Sequence, residues 1–208
     1  FSTEGKQNMA TKKTAVQTVI PPIDIRHATI VLESDSTLVV HAWSAKARQQ
    51  ILDKQMHKPA AAKGAKDPEA LYQECFYRTP EGAYGFPAIA FKSAAVDACS
   101  HVSELTKVEA RGAFHIDGEI IALHDYTGPK QREDMVRIAM GTADVRIRPE
   151  FPTWQATLQI RYNAGVLSLA QIANLFNVAG FSIGIGEHRP QRDGQWGMFH
   201  VLSATEAD

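Results

Sequence analysis

Phe181-Ser182-Ile183-Gly184-Ile185-Gly186-Glu187-His188-Arg189-Pro190-Gln191-Arg192-Asp193-Gly194-Gln195-Trp196-Gly197-Met198-Phe199-His200-Val201 follows an apolar, helix-like segment near the end of the chain. Glycine is costly in regular structure, so its clustering marks a backbone that must bend or be closely approached. His188, Arg189, Arg192 and Trp196 stand among these glycines, the mixture of cations and a ring that holds a phosphate backbone and stacks a base. The plain alternative is a long hairpin whose glycines only make turns. Ahead of this stretch, Ser168 reads as the cap of a helix that buries Leu169, Ile172, Ala173, Leu175, Phe176 and Ala179 and stops at Gly180. Earlier still, Gln155, Thr157, Gln159 and Arg161 alternate with Ala156, Leu158, Ile160 and Tyr162, which predicts a strand with one polar and one apolar face. Tyr162 is assigned to the core and Arg161 to a ligand.

Further out, the β-branched run Ile23 to Leu32 and the run Leu38 to Trp43 read as strands around a Ser34-Asp35-Ser36 turn. Ser44 caps a helix whose apolar side is Ala47, Ile51, Leu52 and Met56, and Asp67-Pro68-Glu69 starts another. Pro87 opens a third, through Phe91 and Cys99. Gly112 to Ile116 and Glu119 to Leu123 flank Asp117-Gly118, a dipeptide typical of a two-residue hairpin. Residues 58–66 read as a basic linker and 125–134 as a charged loop, both insertions, with strands at Val136 to Ala139 and Val145 to Arg148. The organisation expected is an N-terminal tail over 1–20, of which 1–8 is vector-derived, one domain over 21–203, and a C-terminal tail over 204–208.

At 208 residues the chain suits one well-buried core, and no apolar run approaches the ~20 residues needed to span a bilayer. The two cysteines, Cys75 and Cys99, lack a CxxC spacing and are expected to be reduced core residues of a cytoplasmic protein. A formal net charge of −1 does not by itself announce a polyanion ligand. The cations nevertheless cluster, with Lys46, Arg48, Lys54, Lys58, Lys63 and Lys66 against the single acid Asp53, and Lys130, Arg132, Arg137, Arg146, Arg148 and Arg161 in a second group.

The element order predicts an α+β fold, a ferredoxin-like or RRM-like core in which helices cover one face of an antiparallel sheet and leave the other for RNA or single-stranded DNA. Val39-Val40-His41-Ala42-Trp43-Ser44 running into a basic helix, together with the glycine loop from Gly184 to Phe199, resembles the RAMP superfamily, and within it the backbone subunits of CRISPR effector complexes. The chain also resembles proteins encoded by bacteriophages and prophages. The likeness implies a single-strand-binding protein that polymerises into a ring or filament, with Gly184, Gly186, Gly194 and Gly197 as the family's loop. Residues 58–66 and 125–134 are both candidates for the family's thumb-like insertion.

The expected contacts to single-stranded DNA or RNA are therefore Lys46, Arg48, Lys130, Arg132, Arg146, Arg148, Arg161, Gly184, Gly186, His188, Arg189, Arg192 and Trp196, with Trp43 either core or ligand-facing. No cofactor and no metal are expected, since HExxH, deaminase and Walker patterns are all missing. Asp134, Asp144 and Glu150 read as partners of the interleaved arginines. His41 and His188 are the best placed for metal-independent RNA cleavage, although the expectation is a non-enzyme. The rival reading is an assembly protein that multimerises without nucleic acid.

Overall fold

The computed structural model describes residues 20–59, 67–138 and 141–207. The tail apart from Ile20, and the linker from residue 60 onward, lie outside the described residues. In chain order the elements are β1 (Ile25–Ser34), β2 (Leu38–Val39), α1 (Ala45–Gln55), α2 (Pro68–Glu74), β3 (Tyr77–Arg78), β4 (Tyr84–Pro87), α3 (Ala88–Ala98), α4 (Lys107–Ala113), β5 (Phe114–Ile116), β6 (Ile120–Thr127), β7 (Lys130–Ile138), β8 (Thr142–Phe151), β9 (Thr153–Asn163), α5 (Leu169–Ser182) and β10 (Phe199–Glu206). The fold is α+β. One antiparallel sheet runs β10-β1-β9-β6-β4-β3, with β5 also on β9, and a smaller one runs β2-β8-β7.

The alternation on β9 holds along its length. Trp154, Ala156, Leu158, Ile160 and Tyr162 are buried with Ala28, Ile30 and Leu32 of β1, in one core with Phe91 and Ala95 of α3 and Ile172 and Phe176 of α5. Each fully buried large apolar side chain stabilises the domain by about 1.5–3 kcal/mol. The other face is polar and laterally tied: Thr29 donates to Gln159 (2.8 Å), Gln155 to Glu33 (2.8 Å), and His124 Nε2 pairs with Thr157 (2.8 Å). Strands β1 and β9 present no Phe, Tyr or Trp there, so base stacking has no platform on them.

Five expectations are corrected. The segment at 125–134 is not a loop: β6 runs to Thr127 and β7 begins at Lys130, forming with β8 a long hairpin that carries the charged residues in register. Asp117-Gly118 does not close a two-residue hairpin, because β5 and β6 both pair with the longer β9, and Asp117 N donates to Gln159 O (2.8 Å). Gly112 and Ala113 end α4, whose start is a capping box between Thr106 and Glu109. Residues 204–206 belong to β10, not to a tail, and Glu206 accepts from the buried Tyr162 hydroxyl (2.5 Å).

Gly180 does not stop α5 but lies inside it. A Cβ there would come within 1.7 Å of the Phe199 carbonyl oxygen, so glycine is what lets α5 press onto β10. The helix end, and with it the loop that follows, is positioned by that contact.

Candidate nucleic-acid interface

The glycine loop after α5 is a compact knot seated on the β1–β2 corner. Ile185 N donates to Gly197 O (2.9 Å), Gly197 N to Thr37 O (2.8 Å) and Glu187 N to Val39 O (3.0 Å). Gly197 has φ +67°, and a Cβ on it would stand 1.7 Å from the Ile185 carbonyl oxygen. What the glycines admit is the chain's own backbone. Gly184 is buried, and it and Gly186 act as turn-makers in this knot.

Several of the expected contacts are engaged with carboxylates. Arg148 is buried and reaches Asp134 (3.4 Å) and Glu187 (3.5 Å), which makes it an internal tie between hairpin and loop and not a surface contact. Arg132 binds Asp134 (2.9 Å) and Glu150 (3.3 Å), and Arg146 pairs with Asp144 (3.3 Å), as the interleaving of acids and arginines predicted. Trp196 is likewise occupied: the Arg132 guanidinium lies 4.0 Å from its ring centroid and His188 meets it edge-on at 5.0 Å. His188 also approaches Asp134 (3.8 Å). Arg189 donates to Gln191 and to the Gly186 carbonyl, while Arg192, Lys46 and Lys130 are exposed. Arg161 faces Asp117 at 3.5 Å and is largely open to solvent.

Glu187 sits at the crossing of these ties. His41 Nδ1 is 3.8 Å from its Oε1, and His41, with Arg148, holds its carboxyl below the ordinary glutamate range against the opposing effect of burial. Asp97 of α3 is also held low, by Lys107 (2.7 Å) and by Gln191 (2.8 Å) of the loop.

The concave surface lies beside this knot, along the segment that leads from β2 into α1. A hollow of about 250 Å³ between the loop and α3 is lined by His41, Tyr77, Ser93, Asp97, Glu187 and Arg189. Another of about 390 Å³ is lined by His41, Trp43, Ser44, Glu74 and Arg146, and the largest, about 840 Å³, by Trp43, Arg48, Tyr77, Arg78, Ile89 and Glu119. A fourth, about 250 Å³, holds Ile89, Lys92, His115 and Arg161. Shared lining residues make them one track: His41 joins the first two, Trp43 the next pair, and Ile89 the last. Six cations, Arg189, Arg146, Arg48, Arg78, Lys92 and Arg161, line it against four carboxylates, Asp97, Glu187, Glu74 and Glu119.

At the middle of the track Trp43 is 58% exposed, with the Arg48 guanidinium 5.7 Å from its ring centroid. Arg78 lies across Tyr84 (4.6 Å) and Phe76 (5.3 Å). Sequence reasoning left Trp43 undecided and missed Arg78 and Lys92, because nothing local says that β3, α1 and α3 converge. Residues of the expected set that do line the track are Arg48, Arg146, Arg161, Gly184, Gly186 and Arg189. Among the described residues no group of three His, Cys, Asp or Glu side chains is arranged to hold a metal ion, and no helix is long and apolar enough to cross a membrane. No protein-family model matches this chain, and no curated protein does.

Proposed function

We propose that the protein binds single-stranded nucleic acid, DNA or RNA, along this track, without base specificity and without catalysis, and that copies assemble side by side on the strand. The observation that carries the reading is the exposed Trp43, with Arg48 over its ring and Arg78 lining the same hollow, in the widest part of a groove whose lining is net cationic. An exposed ring stacks any base, and cations along the same groove follow the phosphates. The order β10-β1-β9-β6, with α3 and α4 crossing before β6 and α5 before β10, supports the ferredoxin-like reading and with it the RAMP resemblance. In that comparison the β7–β8 hairpin takes the place of the thumb-like insertion.

Assembly draws support from two complementary surfaces. Helix α1 buries none of its residues, and Ile51, Leu52 and the C-cap residue Met56 are exposed beside Lys54. A groove of about 460 Å³ combines Val102, Leu105, Val166 and Val178 with the carboxylates Glu104 and Glu109. The helix of one copy in the groove of the next is a head-to-tail contact that extends into a ring or filament.

The test is fluorescence anisotropy with labelled single strands of different sequence. Trp43→Ala weakens binding to all of them by about 1–3 kcal/mol and Trp43→Phe recovers most of it. Arg48→Ala with Arg78→Ala flattens the dependence of log affinity on log salt by about one to two units. A folded protein that binds no single strand at low salt refutes the reading. For assembly, Leu52→Glu shortens the species seen by mass photometry on a long strand.

A ribonuclease reading has one observation in its favour: His41 and His188 are joined through Glu187, Arg148 and Asp134. Metal-independent cleavage of a labelled RNA, lost in His41→Ala or His188→Ala, would establish it in place of the non-enzymatic one.

A further inference from the structure

The far end of the track gathers positive groups without a carboxylate in its lining. Lys92 projects from α3, and His115 of β5 stands directly opposite Arg161 of β9 in the sheet register. These three side chains share one hollow of about 250 Å³ with Ala88, Ile89 and Gly118. Lys92 Nζ lies 3.1 Å from His115 Nδ1 and donates to the Arg111 carbonyl oxygen at 3.1 Å, the latter satisfying one of the free carbonyls at the end of α4.

An ammonium has donors and no acceptor, so Nδ1 of His115 accepts from Lys92 and the ring proton sits on Nε2. The imidazole therefore offers an N–H donor. Lys92 keeps a third proton beyond the two it uses, and the Arg161 fork pairs with Asp117 at 3.5 Å through Nε, with much of its guanidinium open to solvent. Three kinds of donor thus converge on a space with no carboxylate in its lining.

We propose that Lys92, His115 and Arg161 form a phosphate-binding site at the end of the groove. The recognised chemistry is a tetrahedral phosphate oxyanion, supplied by a phosphodiester of the strand or by free phosphate, and the strand as its source rests on the function proposed above. A point charge from Lys92, a fork from Arg161 and a neutral N–H from His115 match the distributed oxygens of such a group. The histidine carries a signature of this state. Burial first, then Lys92 and Arg161, lowers its pKa, with Asp117 opposing them. The groups facing it are Lys92 from α3, Arg161 from β9 and Asp117 from the turn before β6. An anion held between them reverses the sign of the local field and raises the His115 pKa.

The experiment follows the histidine ring resonances of the full chain by NMR while inorganic phosphate replaces chloride at constant ionic strength. A saturable shift of His115 with a raised pKa is expected, with His57 and His200 unmoved. Lys92→Gln and Arg161→Gln each weaken the apparent phosphate affinity by about tenfold, the size of one charge-assisted hydrogen bond. An oligothymidylate then separates the sources: displacement of phosphate at His115, with weaker oligonucleotide binding in Arg161→Gln, assigns the site to the strand. Phosphate binding that the oligonucleotide leaves untouched keeps the site and assigns it to free phosphate. An oligonucleotide that binds elsewhere, with His115 silent to it and to phosphate, overturns the site and leaves the single-strand reading standing. No saturable response of His115 to either probe, or phosphate affinity in both variants equal to that of the parent, overturns the proposal.

Discussion

Replacing Gly180 by Ala tests how the candidate interface is held in place. Alanine is the better helix former by about 0.5–1 kcal/mol, so on an isolated helix the change would stabilise. In the fold the new methyl would stand 1.7 Å from the Phe199 carbonyl oxygen and 2.6 Å from its carbon, well inside the 3.4 Å at which ordinary contact begins. Both are backbone atoms of β10 and cannot rotate away. Helix α5 must lift from the strand, which costs about 1–3 kcal/mol in strain and lost packing. The Asn177 side chain, which accepts from Val201 N at 2.8 Å, loses its partner in the same movement, about 1 kcal/mol more. The balance is a loss of about 2 kcal/mol, or about 4–8 °C in Tm for a domain of this size. Gly112 is the control: it lies in α4, where an added methyl would meet nothing within 4 Å, and Gly112→Ala stabilises by about 0.5 kcal/mol. Urea denaturation of both variants decides the matter. If Gly180→Ala is as stable as the parent, the close approach of α5 to β10 is wrong, and with it the account of how the loop is placed.

Other outcomes follow from the ties around the loop. Arg148→Met takes the buried guanidinium from both Asp134 and Glu187 and lowers stability by about 1–3 kcal/mol, less than a fully buried pair would cost because Glu187 is partly exposed and keeps His41, and Asp134 keeps Arg132. Glu187 is held below its ordinary range, so the stability it contributes is complete above that range and is lost as the pH falls below it through the lowered folded value; acid titration of unfolding should be shallower in Glu187→Gln. Tyr162 is pushed up to about 12 by burial and then by Glu206, so its contribution is complete below the ordinary tyrosine value of about 10 and is lost as the pH rises toward 12. Tyr162→Phe removes that part of the alkaline slope, read by denaturation at successive pH values. Trp196→Ala lowers stability while leaving strand affinity nearly unchanged, since its ring already serves Arg132 and His188.

Much of the local structure was legible in short-range chemistry. Ser44, Asp67 and Ser168 cap the helices expected of them, because a side-chain oxygen beside free N–H groups needs no distant partner. The alternation of β9 fixed its buried face, since the period of two is a property of the strand alone. The Thr106–Glu109 capping box was equally plain in the sequence and marks α4, which the strand reading of Gly112 passed over. Tertiary structure decided the rest. Gly180 resembles a helix stop until β10 is laid across it, and Asp117-Gly118 resembles a hairpin until β9 proves long enough to pair with both flanks. Arg148 and Trp196 were expected to reach solvent, but the hairpin and loop close over one and occupy the other. Trp43, Arg78, Lys92 and His115 come from four different segments of the chain, and only their packing brings them to one groove. Caps and alternation are written in neighbouring residues, whereas the pairing of a charge or the exposure of a ring depends on what the fold places against it.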